Sequence, residues 1–192
     1  VGNGSDTVDG GSGNDTILAG FGNDTIDGGT GNDVIDAGNG RDSVLGGTGN
    51  DTMAGGAGDD TMNGGAGIDV LVGGTGIDTM TGGSEADTFR FVGLDDAKVS
   101  ASGATDRITD FVHGVDKIDL SALDANVATV GTDDAFRLVP IFDANATGEI
   151  KITYDAGLDV TFVQAHVDAD GLTDVTIALT GHINLTAADF VL

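Results

Sequence analysis

The chain has 192 residues and a formal net charge of −25 at pH 7, with 32 acidic and only seven basic residues. This balance excludes nucleic acid as a partner, because phosphate binding needs clustered Lys and Arg, and it disfavours anionic membrane surfaces. Multivalent cations are the partners that such a surface favours. The absence of cysteine excludes disulfides and thiolate metal sites, and the lack of a long apolar run excludes membrane insertion by a helix.

Residues 1–90 consist of ten nonapeptide units in one fixed frame. Glycine stands at the second position of every unit, aspartate at the sixth and an apolar residue at the eighth. The aspartates are Asp6, Asp15, Asp24, Asp33, Asp42, Asp51, Asp60, Asp69, Asp78 and Asp87. This frame predicts a repetitive coil with one polar, solvent-exposed edge and one apolar interior. Because the frame opens at Val1 without signal-peptide features, we expect a fragment of a longer polypeptide.

The unit Gly28-Gly29-Thr30-Gly31-Asn32-Asp33-Val34-Ile35-Asp36 shows what each position can do. The glycines allow backbone angles that other residues avoid, so a tight turn can direct its carbonyls inward. The aspartate adds a hard anionic oxygen, and Ca²⁺ accepts about six to eight carbonyl and carboxylate oxygens. The last three residues form a very short strand with one inward side chain.

This unit matches the nonapeptide of RTX calcium-binding proteins, which the region resembles. The resemblance implies that two units make one turn of a β-roll, with carbonyls and sixth-position aspartates of stacked turns holding Ca²⁺. Ten units allow at most about eight ions. At the second and fourth positions the implied carbonyl ligands are Gly11, Gly13, Gly20, Gly22, Gly29, Gly31, Gly38, Gly40, Gly47, Gly49, Gly56, Gly58, Gly65 and Gly67. At the first and third positions they are Gly28, Thr30, Gly46, Thr48, Gly55, Ala57, Gly64, Ala66, Gly73, Thr75, Gly82 and Ser84.

A disordered Gly/Asp-rich linker is the alternative interpretation of the repeats. It leaves the strict apolar spacing unexplained, but it describes the calcium-free chain, in which stacked carboxylates repel. A phosphate-binding glycine loop is excluded because no lysine precedes Lys98. Glu85 replaces the fourth-position glycine of the last unit, where we expect no following turn. Arg41, Ile68 and Ile77 replace the usual Asn or Asp at the fifth position, which indicates variable solvent exposure.

After Arg90 the glycine period stops and alternating strand patterns begin, as in Ile150-Lys151-Ile152-Thr153-Tyr154. We predict a mostly antiparallel β domain over 91–192 that caps the roll, since an open coil end exposes its core. The segment 116–123 should contain a strand end and a short helix, and Thr186 should N-cap a helical turn. The predicted fold class is all-β, a parallel β-roll followed by this cap.

Residues 105–121, TDRITDFVHGVDKIDLS, resemble the segment that follows the RTX repeats in serralysin-type secreted metalloproteases. The tail 185–192, LTAADFVL, is similar to their C-terminus. Alginate epimerase modules, secreted lipases and RTX adhesins carry related sequences, and Asp87-Thr88-Phe89-Arg90-Phe91 is reminiscent of the epimerase modules. The resemblance therefore covers the chain as a C-terminal region without specifying a protease.

The resemblance implies that the C-terminus is the address read by a type I secretion machine. The residues concerned are Asp189, Phe190, Val191 and Leu192, an acidic residue followed by apolar ones. A last β-strand docked on the cap is the alternative interpretation, and both roles are compatible at different times. An extracellular location and an upstream catalytic domain in the same polypeptide follow as expectations.

Two further groups of carboxylates are weaker candidates for metal ligands. Asp168, Asp170 and Asp174 resemble part of an EF-hand loop but lack its terminal glutamate, and a hairpin turn between strands 158–167 and 174–180 explains them equally well. Asp106, Asp110 and Asp116 are either ligands or solvated turn residues, and we favour the second interpretation.

No catalytic motif is present. His113, His166 and His182 are not spaced as a zinc motif, and no G-x-S-x-G elbow occurs. We therefore predict a non-catalytic calcium-binding module that is unfolded during export and folds outside the cell. The alternative is a polysaccharide- or surface-binding module, although the basic residues are scattered along the chain.

Overall fold

A computed structural model describes residues 1–93, 96, 104–124, 137–138, 148–166 and 173–192. The strands of the repeats are β1 (Gly2–Asn3), β2 (Thr7–Asp9), β3 (Thr16–Phe21), β4 (Thr25–Thr30), β5 (Val34–Asn39), β6 (Ser43–Thr48), β7 (Thr52–Ala57), β8 (Thr61–Ala66), β9 (Val70–Thr75), β10 (Thr79–Ser84) and β11 (Thr88–Arg90). Those after the repeats are β12 (Asp106–Ile108), β13 (Lys117–Asp119), β14 (Arg137–Leu138), β15 (Glu149–Asp155), β16 (Val160–His166), β17 (Val175–Thr180) and β18 (Phe190–Val191). A short helix, α1, spans Ser121–Asp124, and a 3₁₀ turn spans Ala187–Asp189.

The repeat units build two parallel sheets. Strands β1, β3, β5, β7, β9 and β11 stack in one sheet, and β2, β4, β6, β8 and β10 stack in the other. The chain alternates between the sheets, so each unit lies beside the unit after next: Ile17 pairs with Ile35, and Ile26 with Val44. This arrangement confirms the predicted parallel roll, with two units per turn.

The interior of the roll is a single file of eighth-position side chains from each sheet. From the second unit onward they are at most 7% exposed, and they comprise Ile17, Ile26, Ile35, Val44, Met53, Met62, Leu71, Met80 and Phe89. Full burial of one such side chain contributes about 1.5–3 kcal/mol. With one large apolar side chain per unit the core is thin, and other interactions must hold the turns together.

The turns between strands depend on backbone angles that favour glycine. Gly29 and Gly31, at the second and fourth positions of one unit, have φ values of 97° and 127°. At the fourth position of the tenth unit Glu85 adopts a φ of 78°, which is strained for a residue with a Cβ. Its carboxylate accepts a hydrogen bond from the N–H of Gly67 at 2.8 Å. The deviating unit therefore keeps the geometry of the repeat.

The two sheets continue beyond the tenth unit. Strand β12 stacks in parallel on β10, and β13 on β11, so a following turn does exist for the last units. Next, β17 pairs in parallel with β12 and β18 with β13. Among the residues that the structure describes, antiparallel pairing is confined to the β15–β16–β17 meander, with β14 parallel to β15. The division into domains at residue 90 stays a prediction.

The prediction of a mostly antiparallel second half is thus right for the meander and wrong for the strands nearest the roll. The physical reason lies in two triplets, Asp106-Arg107-Ile108 and Asp116-Lys117-Ile118, which repeat the aspartate-x-apolar spacing of the units. Their apolar residues continue the file of buried side chains, and both are fully buried. Most flanking glycines of the nonapeptide are missing from these segments: Gly114 keeps the fourth position before Asp116, but Ala104 stands there before Asp106.

Local predictions in the second half are confirmed. Strand β13 is followed by α1, and the 3₁₀ turn follows Thr186, whose N–H and hydroxyl bind the Asp189 carboxylate at 2.7 and 3.0 Å. Within the described ranges, no helix is both long enough and apolar enough to pass through a lipid bilayer.

Candidate metal centres

The sixth-position aspartates form two hydrogen-bonded columns, which we call the aspartate ladders. In each, the backbone N–H of one aspartate donates to Oδ1 of the aspartate on the next stacked turn, as from Asp24 to Asp42 at 2.7 Å and from Asp51 to Asp69 at 2.8 Å. One ladder contains Asp6, Asp24, Asp42, Asp60, Asp78 and Asp106. The other contains Asp15, Asp33, Asp51, Asp69, Asp87 and Asp116.

The second carboxylate oxygen of most ladder residues is buried and lacks a hydrogen-bond donor. These Oδ2 atoms belong to Asp15, Asp24, Asp33, Asp42, Asp51, Asp60, Asp69, Asp78 and Asp106. Burying a charged oxygen without a partner carries a large desolvation penalty. A repeated set of such atoms therefore indicates a partner that is not a protein group.

Where a unit begins with glycine, that residue lies beside the Oδ2 atom of its own aspartate, whereas the third and fifth units begin with Ala19 and Ala37. A Cβ added to Gly46 would lie 2.5 Å from Oδ2 of Asp51 and 2.6 Å from the carbonyl oxygen of Gly64 on the next turn. The same relationship holds at Gly55, where the distances to Asp60 Oδ2 and the Gly73 carbonyl oxygen are 2.5 and 2.6 Å. Each space is small and is bordered by a carboxylate and a carbonyl oxygen, which are ligands that Ca²⁺ prefers.

The electrostatics of the ladders agree with a missing counter-charge. Burial, with a smaller contribution from nearby carboxylates, raises the pKa of Asp78 to about 7 and that of Asp106 to about 8. Burial likewise raises the pKa values of Asp60, Asp69 and Asp87 to about 6. The hydrogen bond from the stacked N–H opposes this rise without cancelling it. A bound cation would remove the penalty, because it favours the ionised form.

The ion pairs that the structure describes lie outside the ladders. Arg41 contacts Asp59 at 2.8 Å, and Arg90 contacts Asp119 at 2.7 Å. Among the described residues, no three His, Cys, Asp or Glu side chains converge as a metal site. A cation in the ladders would therefore take most of its ligands from backbone carbonyls, as the repeat sequence predicts.

Asp106 and Asp116 correct a prediction from the sequence. They are 1% and 3% exposed, so they are not solvated turn residues. Each occupies the last position of a ladder and accepts the N–H of a repeat aspartate, Asp78 at 2.9 Å and Asp87 at 3.0 Å. Asp110 lies beside them, half-buried, and accepts the N–H groups of Gly82 and Gly83, both at 2.9 Å.

The fifth position also has a structural role that its sequence did not reveal. Side-chain oxygens there accept the N–H of the fifth residue on the next turn, as Asn14 does from Asn32 and Asn32 from Asn50, both at 2.9 Å. Ile68 and Ile77 donate to such ladders but cannot extend them, since they lack a side-chain acceptor. Substitutions at this position therefore change hydrogen bonding between turns as well as exposure.

The remaining predicted residues lie apart from the ladders. Asp168 and Asp170 fall outside the described residues, while the N–H of Asp174 bonds to the Ala165 carbonyl at 3.0 Å where β16 and β17 pair. The His182 ring stacks on Tyr154 with centroids 4.2 Å apart, and His113 contacts Asp189.

The predicted secretion tail is strand β18 with its flanking residues. Asp189 is fully buried and Phe190 is 8% exposed, whereas Val191 and Leu192 are exposed. Phe190 pairs with Ile118 and Val191 with Asp119 in the first sheet. In the folded chain, the tail is therefore a docked last β-strand, which was the alternative interpretation of its sequence.

Fold and ladders together define an RTX-type parallel β-roll module. The family described as Peptidase M10 serralysin C terminal matches residues 5–192, and the chain belongs to this family. The match includes the parallel strands after the repeats as well as the repeats themselves.

Two curated relatives are similar over part of the chain. Serralysin A of Dickeya chrysanthemi is 36% identical over 104 residues, which are 54% of this chain and 20% of the relative. Serralysin C of the same organism is 37% identical over 104 residues, covering 54% and 19%. The alignments thus span only about a fifth of the length of these relatives.

Two solved structures share the fold over most of their length. The AlgE6R3 subunit of the Azotobacter vinelandii mannuronan C5-epimerase has a TM-score of 0.56 and 30% identity, covering 84% of this chain and 80% of that one. The AlgE6R2 subunit of the same enzyme has a TM-score of 0.56 and 29% identity, with coverages of 78% and 86%. The chain therefore resembles both groups that its sequence indicated, the serralysins and the alginate epimerase modules.

Proposed function

We propose that this chain is a non-catalytic calcium-binding module of a type I secreted protein, unfolded at low calcium and folded outside the cell. The observation that carries the proposal is the set of buried ladder Oδ2 atoms without donors, several of which, such as those of Asp51 and Asp60, adjoin a first-position glycine and a carbonyl oxygen. Family membership supports the same conclusion, because the matched family is the C-terminal region of serralysin-type peptidases.

The residues proposed to hold the ions are the ladder aspartates and the glycine-rich turn carbonyls. When bound, Ca²⁺ would supply the positive charge that stacked carboxylates need. Up to about eight ions would offset about sixteen of the 25 net negative charges. Asp106 and Asp116 extend both ladders beyond the repeats, so we propose that they contribute to the last sites.

Calcium-dependent folding follows from linkage. Ions that bind the folded chain and not the unfolded one stabilise it by RT ln(1 + [L]/Kd) for each site. Extracellular calcium modules bind with Kd of roughly 10⁻⁴–10⁻³ M. Since the apolar core is thin and the ladders repel without ions, low cytosolic calcium would leave the chain loose enough for export.

The decisive experiment is a calcium titration of the chain followed by far-UV circular dichroism, with ion stoichiometry from calorimetry. We expect a disordered spectrum in chelator and a β spectrum at millimolar calcium, with several ions bound. A full β spectrum in excess chelator, or binding of no ions, would refute the proposal. Magnesium at the same concentrations is the control, since it demands a tighter octahedral shell.

The parent protein's activity is also a matter of proposal. We propose that peptidase or other catalytic residues lie outside residues 1–192, in an upstream domain of the same polypeptide, and that the tail 189–192 is read by the type I secretion machinery. Fusing residues 91–192 or the full chain to a passenger protein, in a strain with a type I exporter, tests the second statement. Passenger secretion should be lost when the last four residues are deleted.

Polysaccharide binding is a second candidate, and one feature favours it. Asn14, Asn32 and Asn50 are exposed and stacked on successive turns, about 4.8 Å apart as neighbouring strands are. Their Oδ1 atoms accept backbone N–H groups, so their amide NH₂ groups are left as a row of outward donors. Thr30 and Thr48 add exposed hydroxyls. An extended polysaccharide presents oxygen acceptors at a similar repeat.

The test replaces these three asparagines by aspartate, which keeps the ladder acceptor and removes the donor. Asp59 already accepts such a bond from Ile77, so the roll tolerates the change. The matched control carries Asn23→Asp, Asn39→Asp and Asn63→Asp, which add the same charge at exposed positions elsewhere. Mannuronan and a neutral β-glucan serve as probes. Equal affinity of both triple variants would remove this candidate.

A further inference from the structure

The carboxylate of Asp189 links the tail to residues 113–114. It accepts hydrogen bonds from the N–H of Gly114 at 2.8 Å and from the N–H of Thr186 at 2.7 Å. His113 Nδ1 lies 2.9 Å from its Oδ1, and the Thr186 hydroxyl 3.0 Å from its Oδ2. Burial alone would raise the pKa of Asp189, but these hydrogen bonds lower it overall, so the carboxylate is ionised at neutral pH.

The segment that receives Asp189 also holds the end of an aspartate ladder. Residues 112–116, which we call the coupling loop, close on themselves: Oδ2 of Asp116 accepts the Val112 N–H at 2.7 Å. The Asp116 N–H returns to the Val112 carbonyl at 3.0 Å. Oδ1 of Asp116 accepts the N–H of Asp87 at 3.0 Å. One short loop therefore contacts the tail on one side and the ladder on the other.

The strand that follows the loop makes the same connection. Strand β13 stacks on β11 of the roll and is covered on its other edge by β18 of the tail. Phe190 pairs with Ile118, and the N–H of Leu120 donates to the Val191 carbonyl at 2.9 Å. Removing the tail would leave an open edge on the strand that begins directly after Asp116.

We propose that docking of the C-terminal tail and ion binding at the end of the ladder are coupled through the coupling loop. This inference rests on the proposed calcium-binding function. Coupling is reciprocal by thermodynamic necessity: if the docked tail raises the affinity of the last sites, bound calcium holds the tail in place by the same factor. Residues that touch no ion would then set calcium affinity.

The functional consequence concerns the partner that reads the tail. A receptor for an extended C-terminus, acidic and then apolar, cannot bind residues that are buried in a sheet. Asp189 and Phe190 are buried in the folded chain. The tail is therefore available to such a receptor only while calcium is absent, and calcium converts the recognised segment into the last strand of the fold.

The test compares Asp189→Asn with Leu192→Ala in the full chain. Both lie in the tail, but Leu192 is exposed and makes none of the contacts to the coupling loop. We expect Asp189→Asn to raise the calcium midpoint by about fivefold or more, the lower range of coupling between linked sites. Leu192→Ala should leave the midpoint unchanged. If Asp189→Asn does not fold at any calcium concentration, Thr186→Ala should give a smaller shift in the same direction.

Carboxypeptidase digestion followed by mass spectrometry supplies the reciprocal measurement. In the wild type the tail should be trimmed in chelator and protected once calcium saturates the roll. Normal calcium-induced folding with an unchanged midpoint in both Asp189→Asn and Thr186→Ala would overturn the coupling while leaving the proposed function intact. Absence of calcium-induced folding in the wild type would instead remove the proposed function.

Discussion

The backbone N–H of Asp78 donates to Oδ1 of Asp106 at 2.9 Å, across 28 residues of sequence, where the earlier links of the same ladder span 18. The parallel link from Asp87 to Asp116 spans 29 residues. The ladders thus pass from the regular repeats into the second half of the chain. The register of the buried file is kept across the longer separation, since Ile108 pairs with Met80 and Ile118 with Phe89. Each aspartate ladder therefore contains carboxylates from both halves of the chain.

Replacing a ladder aspartate should have opposite effects with and without calcium. Asp69→Asn keeps an oxygen for the stacked N–H but removes a charge from the column. With saturating calcium we expect the free energy of unfolding to fall by about 1–3 kcal/mol, the contribution of one ion well above its Kd. In chelator the variant should be at least as ordered as the wild type, since repulsion is reduced.

Chemical denaturation at both calcium levels measures this difference. The control is Asp27→Asn, which removes one exposed charge on the outer face of β4. Equal losses for the two variants in calcium would show that ladder position is irrelevant.

Asp106 should behave as a repeat aspartate although it lies outside the repeats. Asp106→Asn is expected to lower calcium stoichiometry and to lower the free energy of unfolding by about as much as Asp69→Asn, that is about 1–3 kcal/mol. The control is Asp155→Asn, because Asp155 is the exposed last residue of β15 and accepts the N–H groups of Gly157 and Leu158. Isothermal calorimetry decides the matter, and full ion stoichiometry in Asp106→Asn would contradict the assignment.

Adding a methyl group at the first-position glycine Gly46 should disturb the adjacent proposed ion site. In Gly46→Ala the new Cβ would lie 2.5 Å from Asp51 Oδ2 and 2.6 Å from the Gly64 carbonyl oxygen, so these atoms must shift. The first position is glycine throughout this sheet, at Gly28, Gly46, Gly64 and Gly82, whereas Ala19 and Ala37 occupy it in the other sheet. We expect a loss of about 1–3 kcal/mol from overpacking and fewer bound ions. Gly2→Ala is the control, because nothing lies within 4 Å of its Cβ and its φ is not positive. Thermal unfolding in calcium should separate the two variants clearly.

The metal-free chain should become more ordered as pH falls. Folding raises the pKa of Asp78 from 3.8 to about 7 and that of Asp106 to about 8, so between these values the folded state binds more protons than the unfolded state. Stability therefore decreases as pH rises through this window and is greatest near its acidic end. Circular dichroism in chelator between about pH 4 and 8 follows the change.

A double variant gives the matching control for the pH profile. Asp78→Asn with Asp106→Asn removes the two carboxyl groups whose pKa values are raised to about 7 and about 8, and should flatten the profile, whereas Asp27→Asn should not. A wild-type profile that rises from acid to neutral pH in chelator would show that other groups dominate.

The sequence by itself determined the repetitive part of this protein. The ninefold spacing of Asp33, Gly29 and Ile35 and their counterparts specifies the turn, the oxygen and the inward side chain, all of which are local properties. A period of nine with two units per turn then repeats the same contacts, so the fold of residues 1–90 follows from one unit. The tail was also recognised, although its two interpretations could not be separated.

Only the tertiary structure decided which residues beyond the repeats belong to the ladders. Asp106 and Asp116 look like ordinary turn residues, because most of the nonapeptide glycines before them are missing and the spacing from Asp78 and Asp87 is irregular. The long-range stacking of β12 on β10 and of β13 on β11 places their carboxylates under the last repeat N–H groups. Likewise, Asp189 reaches Gly114 only because β18 pairs with β13, a contact between segments far apart in sequence that no local pattern encodes.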